Sequence, residues 1–183
     1  MFNLTLKSDN ELISMTVPKT VFVVCSGCDE VVFPKIDLEA RLDATGVAGA
    51  DFEVVESFYV CNLEHFEVVT QCQKALFDSS EHILVYSCGA GVQQMASYFP
   101  EKNVFPLCDT HILPGFQGLT PSEFDCALCG DCHLNKTGAV CPVTSCAKSL
   151  INGACGGSKN GMCEVDSDMA CGWELIHKRI NMR

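Results

Sequence analysis

Thr20-Val21-Phe22-Val23-Val24-Cys25 is a run of β-branched and aromatic residues closed by a cysteine. It has no polar face, so it reads as a strand buried on both sides, as in a parallel sheet. Outward from it the chain alternates. Residues 36–44 set Ile36, Leu38 and Leu42 among charges and predict a short helix, and residues 52–60 predict a strand. Residues 64–76 space Phe66, Val69 and Leu76 at helical intervals, and residues 82–87 repeat the buried-strand pattern. A helix over 91–99, stopped by Pro100, and a fourth strand over 103–107 follow. This alternation predicts an α/β fold: an open, Rossmann-like, mostly parallel sheet, followed by a small loop-rich cysteine and metal domain. The turn residues of 115–124 place the boundary, giving a Rossmann-like domain over 1–118 and a cysteine-rich domain over 119–183. The first 16 residues fit either a hairpin or an extension that docks a partner.

Composition narrows the function classes. Of the 183 residues 48% are hydrophobic and 19% charged, enough apolar material for a core. With 12 basic and 23 acidic residues the formal net charge is -11, and the acidic excess belongs mostly to the first segment. Nucleic acid and anionic membranes need a basic face, so neither is an expected partner. No apolar run reaches the roughly 20 residues of a membrane span. The opening MFNLTLKSDN lacks the pattern of an export signal, so the expected location is the cytoplasm.

The chain has 14 cysteines, unevenly placed. In an open α/β sheet, ligands sit at the carboxyl ends of the strands. Cys25, Cys61 and Cys88 fall at such ends, and Cys28 lies one short turn beyond Cys25. A metal site on that edge and four separate buried thiols are both open readings. Cys72 and Cys108 read as buried core thiols. The run Cys88-Gly-Ala-Gly-Val-Gln93 has the look of a phosphate-binding turn but lacks the third glycine of the dinucleotide fingerprint.

The other eight cysteines crowd the last segment: Cys126, Cys129, Cys132, Cys141, Cys146, Cys155, Cys163 and Cys171. A CxxCxxC run with a later Cys-Pro is the kind of spacing that wraps an iron–sulphur cube. Two four-cysteine centres are expected, at least one a [4Fe-4S] cluster, with a further one open in the first domain. Zinc at one site is the alternative, with His133 a substitute ligand. A disulfide framework needs an oxidising compartment that no export signal supports. In ferredoxin-like runs the Cys-Pro cysteine serves the other cluster. The expected grouping is therefore Cys126, Cys129 and Cys132 on one centre and Cys141, Cys146 and Cys155 on the other, completed by Cys163 and Cys171. Trp173 is expected to pack over a cluster or partner, or in the core. No arrangement of Ser, His and Asp or of paired acids supplies a catalytic residue.

The stretches 126–138, 141–150, 152–157, 161–164 and 171–176 resemble the small cysteine-rich subunit (MetV) of two-subunit methylenetetrahydrofolate reductases of anaerobes. All eight cysteines match in order and approximate spacing. Cys25-Ser-Gly-Cys28 and Ser87-Cys88-Gly-Ala-Gly-Val-Gln93 resemble that family's first domain. There the CxxC is followed four residues later by a third cysteine, where this chain has Val32; Cys61 is the candidate replacement. The resemblance implies a non-catalytic, electron-transfer subunit of an oxidoreductase in one-carbon metabolism. Its partner would be a flavin-containing catalytic subunit, with a ferredoxin or similar protein as electron donor.

Overall fold

The computed structural model describes residues 2–28, 31–32, 40–41, 44, 53–112, 126–127 and 129–182. Its main sheet is four-stranded and parallel: β2 (Thr20–Cys25), β4 (Glu53–Ser57), β5 (His82–Tyr86) and β6 (Asn103–Pro106), in the order β4-β2-β5-β6. The fold is α/β, as the alternating pattern predicts. All six β2 residues are buried because β2 lies between β4 and β5. Strand alternation divides the core into two faces. Phe22, Val24, Leu84 and Tyr86 pack on one side with Leu4, Leu12 and Leu107. Val21, Val23, Ile83 and Val85 pack on the other with Phe66, Val92 and Met95.

A second, three-stranded sheet joins β1 (Phe2–Leu6) to β3 (Val31–Val32) in parallel and to β7 (Cys108–Ile112) antiparallel. The N-terminal residues are thus neither a hairpin nor an extension; they pair with a strand a hundred residues away. Helix α1 (Asp9–Met15) follows, opened by a capping box between Ser8 and Glu11.

The expected helix over 64–76 is two helices, α2 (Leu63–Cys72) and α3 (Lys74–Ser79). Gln73 leaves helical geometry between them, at φ -109° and ψ 24°. Phe77 then packs edge-on to Phe66 at 6.2 Å, and Phe66 meets Tyr98 at 5.6 Å. Phe66 is fully buried, so Phe66→Ala should cost about 3–5 kcal/mol, read as a lower denaturation midpoint. Cys72, expected in the core, is exposed near the end of α2, whereas Cys108 is buried. Helix α4 (Gly89–Tyr98) returns the chain to β6. The expected helix over 36–44 and the boundary near 119–123 lie largely outside the described residues.

The cysteine-rich part has little regular structure: a 3-10 turn (His133–Asn135), one turn of helix, α5 (Pro142–Ser145), and α6 (Gly172–Ile180). Its first half is packed into the sheet, since Leu134 and Ala139 belong to the same core cluster as Val21 and Met95. Among the described residues no helix is long and apolar enough to cross a membrane.

Candidate metal centres

Strand order decides where the first thiols meet. β2 borders both β4 and β5, so the chain reverses its winding between β2 and β5, and ligands in such sheets favour that edge. Cys25 ends β2, Cys28 follows the Gly27 turn, Cys61 follows β4, and Cys88 caps α4 just beyond β5. Burial, then the charges of Cys88, Cys25 and Cys28, push the Cys61 pKa up to about 12. Burial also raises the Cys88 pKa, while backbone N–H groups of Gly91 and Ala90 at the helix start oppose the shift. Val32, standing where the resemblance expects a cysteine, lies in β3 opposite Asn3.

Cys126, Cys129, Cys132 and Cys141 line a common cavity of about 20 Å³, with Gly89, Gln93 and Thr110 in its wall. That exceeds the ~10–15 Å³ a single water requires. This second set is held by β7. The Thr110 carbonyl accepts the Gly130 N–H (3.1 Å), and its hydroxyl accepts the Gly89 N–H (3.0 Å). Asp109 accepts the Cys132 N–H (2.8 Å), and His111 bridges to Cys129. The Cys141 N–H reaches the Gln93 side chain at 3.3 Å. Burial raises the Cys132 pKa to about 12, against the Leu134 N–H and the Lys7 charge. β7 went unread in the sequence because Cys108-Asp-Thr-His-Ile112 carries polar side chains, and these are what hold the cysteine loop.

Cys146, Cys155, Cys163 and Cys171 line a third cavity, also about 20 Å³, with Lys148, Glu164 and Trp173. Cys146 ends α5 and Cys171 caps α6. Lys159 and Met162 pair across Asn160 and Gly161, both at positive φ (53° and 83°), as a two-residue Asn-Gly hairpin turn requires. This turn presents Cys163, and the Asn-Gly pair was a readable signal. The Gly157 N–H points to Cys155 Sγ at 3.4 Å, and Cys155 Sγ meets Glu164 Oε1 at 3.2 Å. Trp173 is buried and donates its ring N–H to the Leu150 carbonyl (2.8 Å), so it both packs in the core and walls the cavity. The cavities divide the cysteines otherwise than the expected grouping: Cys141 lines the one with Cys126, Cys129 and Cys132 and is absent from the one with Cys146 and Cys155. The cause is α5, whose single turn begins after Cys141 and ends before Cys146.

Glycines in this region permit close approach. A Cβ on Gly89 would stand 2.9 Å from Cys126 Sγ, and one on Gly91 would stand 2.3 Å from Ser87 Oγ. The glycines of 88–93 are thus accounted for by packing without a phosphate. At Gly172 a Cβ would stand 2.4 Å from the Ser145 carbonyl oxygen. Gly172→Ala must therefore part α5 from α6, costing roughly 1–3 kcal/mol by overpacking, measurable in thermal unfolding of the full chain.

None of the fourteen cysteines is joined in a disulfide. Among the described residues, no three His, Cys, Asp or Glu side chains are arranged to hold a metal ion. The donor chemistry fits a soft-metal group: each cavity is lined by four cysteines, and thiolates select zinc, copper(I) or iron–sulphur clusters. Residues 105–183 match the model of a family described as "Methylene-tetrahydrofolate reductase C terminal". Over those residues the chain is similar to that family. The match takes in β7 and both C-terminal thiol sets and leaves most of the parallel sheet outside it. No protein of curated function and no solved structure matches the chain.

Proposed function

We propose that this chain is the electron-transfer, iron–sulphur subunit of a methylenetetrahydrofolate reductase complex, passing electrons to or from a flavin-containing catalytic subunit. The observation that supports this reading is that two cavities are each lined by four cysteines, Cys126, Cys129, Cys132 and Cys141 in one and Cys146, Cys155, Cys163 and Cys171 in the other. A cysteine-ligated cube supplies one-electron chemistry with little ligand rearrangement. Cys25, Cys28, Cys61 and Cys88 would hold one such group, and the two C-terminal sets would hold one each.

The groups are close in space. Cys88 of the first set adjoins Gly89, and Gly89 meets Cys126 of the second. The second and third sets are joined by the single turn of α5. Short separations of this kind suit a relay. The surface near the first set suits a partner: Val54, Phe58, Tyr59 and Leu63 are exposed near Cys61, interleaved with exposed Glu53, Glu56 and Glu64. An apolar patch with an acidic rim would steer a basic-rimmed redox protein.

The test is iron and acid-labile sulphide analysis of protein prepared without oxygen. The expected product is brown and binds iron and sulphide in equal amounts. A colourless protein carrying zinc alone, yet still binding its flavoprotein partner, would make the chain a structural assembly module instead.

A further inference from the structure

Lys7 and Asp109 form a buried ion pair that the thiol sets do not by themselves require. Lys7 is only 4% exposed, Asp109 20%, and Lys7 Nζ donates to Asp109 Oδ1 at 2.5 Å. The two residues come from paired strands, β1 extended through Lys7 and β7, and the Lys7 N–H continues the ladder to the Leu107 carbonyl (2.9 Å). Both then grip the backbone of Cys132, one on each side of its Cα. Lys7 Nζ donates to the Cys132 carbonyl (3.2 Å), and Asp109 Oδ1 accepts the Cys132 N–H (2.8 Å). Glu11, on the exposed side, stands 4.0 Å from the ammonium.

Such a pair is a weak source of stability. Taking both charges out of water costs several kcal/mol per ion, and well-packed apolar residues often do as well or better. Its placement suggests another use. Cys132 is flanked by Cys126 and by the buried Cys108, which is itself coupled to Cys88 of the first set. Negative charge gathered there has little solvent to stabilise it, and Lys7 is a fixed cation facing it. The ammonium is paired with the Asp109 carboxylate at 2.5 Å and faces the Cys132 carbonyl at 3.2 Å.

We infer that Lys7 and Asp109 are positioning residues for the centre held by Cys126, Cys129, Cys132 and Cys141: the carboxylate fixes the Cys132 peptide, and the ammonium sets that centre's reduction potential. This rests on the cluster reading of that set. One-electron reduction by the donor adds negative charge and breaks no bond; the Lys7 ammonium stabilises the added charge, and the Asp109 carboxylate disfavours it.

The test is a potentiometric titration of the full, cluster-loaded chain followed by electron paramagnetic resonance. Lys7→Met should disfavour reduction of this centre about tenfold, a shift of about 59 mV to more negative potential for one electron. Asp109→Asn keeps an acceptor for the Cys132 N–H and should shift the potential in the opposite direction. Lys7→Arg, and the neutral pair Lys7→Met with Asp109→Asn, should stay near wild type. Singles that shift in the same direction, or not at all, overturn the inference, because a purely structural role has no reason to change sign. Should Lys7→Met fail to fold, the upward shift of Asp109→Asn decides alone. A second readout needs no metal: in apo protein, Asp109→Ala should speed hydrogen exchange at the Cys132 amide at least tenfold, and Asp109→Asn should not. A wild-type chain that takes up no cluster at this set overturns the proposed function, and this inference with it.

Discussion

Replacing Cys141 with serine is expected to remove the iron held with Cys126, Cys129 and Cys132 and to leave the iron on Cys146, Cys155, Cys163 and Cys171. The loss should be about four irons per chain, the content of one cube. Cys141 shares its cavity with the first three cysteines, and its backbone is fixed there by Gln93. A serine oxygen is a harder, weaker donor for this chemistry than a thiolate. The grouping is checked by pairs of substitutions, since changes within one unit do not add and changes in independent units do. Cys126→Ser with Cys141→Ser should lose no more iron than either alone. Cys141→Ser with Cys146→Ser should lose about twice as much. If the Cys141 and Cys146 losses fail to add, both cysteines serve one centre and the division at α5 is wrong.

Local apolar pattern made the parallel sheet legible. Thr20–Cys25 reads as a buried strand because it is one, with neighbours on both edges. The strand ends then place Cys25, Cys61 and Cys88 on a common edge, and that much follows from alternation alone. What could not be read was long-range pairing. Phe2–Leu6 alternates apolar and polar residues, yet nothing local says that its partner is Cys108–Ile112. Cys108–Ile112 hides because its polar groups are spent on Cys132, Gly130 and Gly89 rather than on solvent. The role of Lys7 was invisible for the same reason: an isolated lysine near the N-terminus reads as a surface charge until the strand pairing buries it. Spacing along the chain also groups Cys141 with cysteines whose cavity it does not line. A Cys-Pro that begins a helix leaves the cysteine behind the turn, with the segment before it, and only the direction of α5 reveals which set that is. Cysteine's general preference for the interior misplaces Cys72, which is exposed at the end of α2.

Cys129→Ser is expected to abolish electron delivery from the physiological donor while leaving the flavin partner's reaction with an artificial dye intact. Cys129 is suited to the test because it is exposed and its neighbourhood is anchored by backbone contacts: the bridge to His111 and the Gly130 N–H to the Thr110 carbonyl. Those contacts do not involve the sulphur, so the fold should survive the change and the thermal midpoint should move little. The loss should nonetheless be large. Removing an outer-shell partner of a metal ligand already costs 10–100-fold in affinity or activity, so removing a ligand should reduce the donor-linked rate by more than about 100-fold. The second set approaches the first at Gly89, next to Cys88, and is linked to the third along α5. If electrons pass along that line, interrupting its middle stops them wherever the donor docks. The dye-linked reaction bypasses the line and reports only on the partner's flavin and folate chemistry. A Cys129→Ser protein that has lost the iron of this set but still couples donor to flavin at the wild-type rate would end the relay reading. The cysteine-rich region would then serve to hold the complex together.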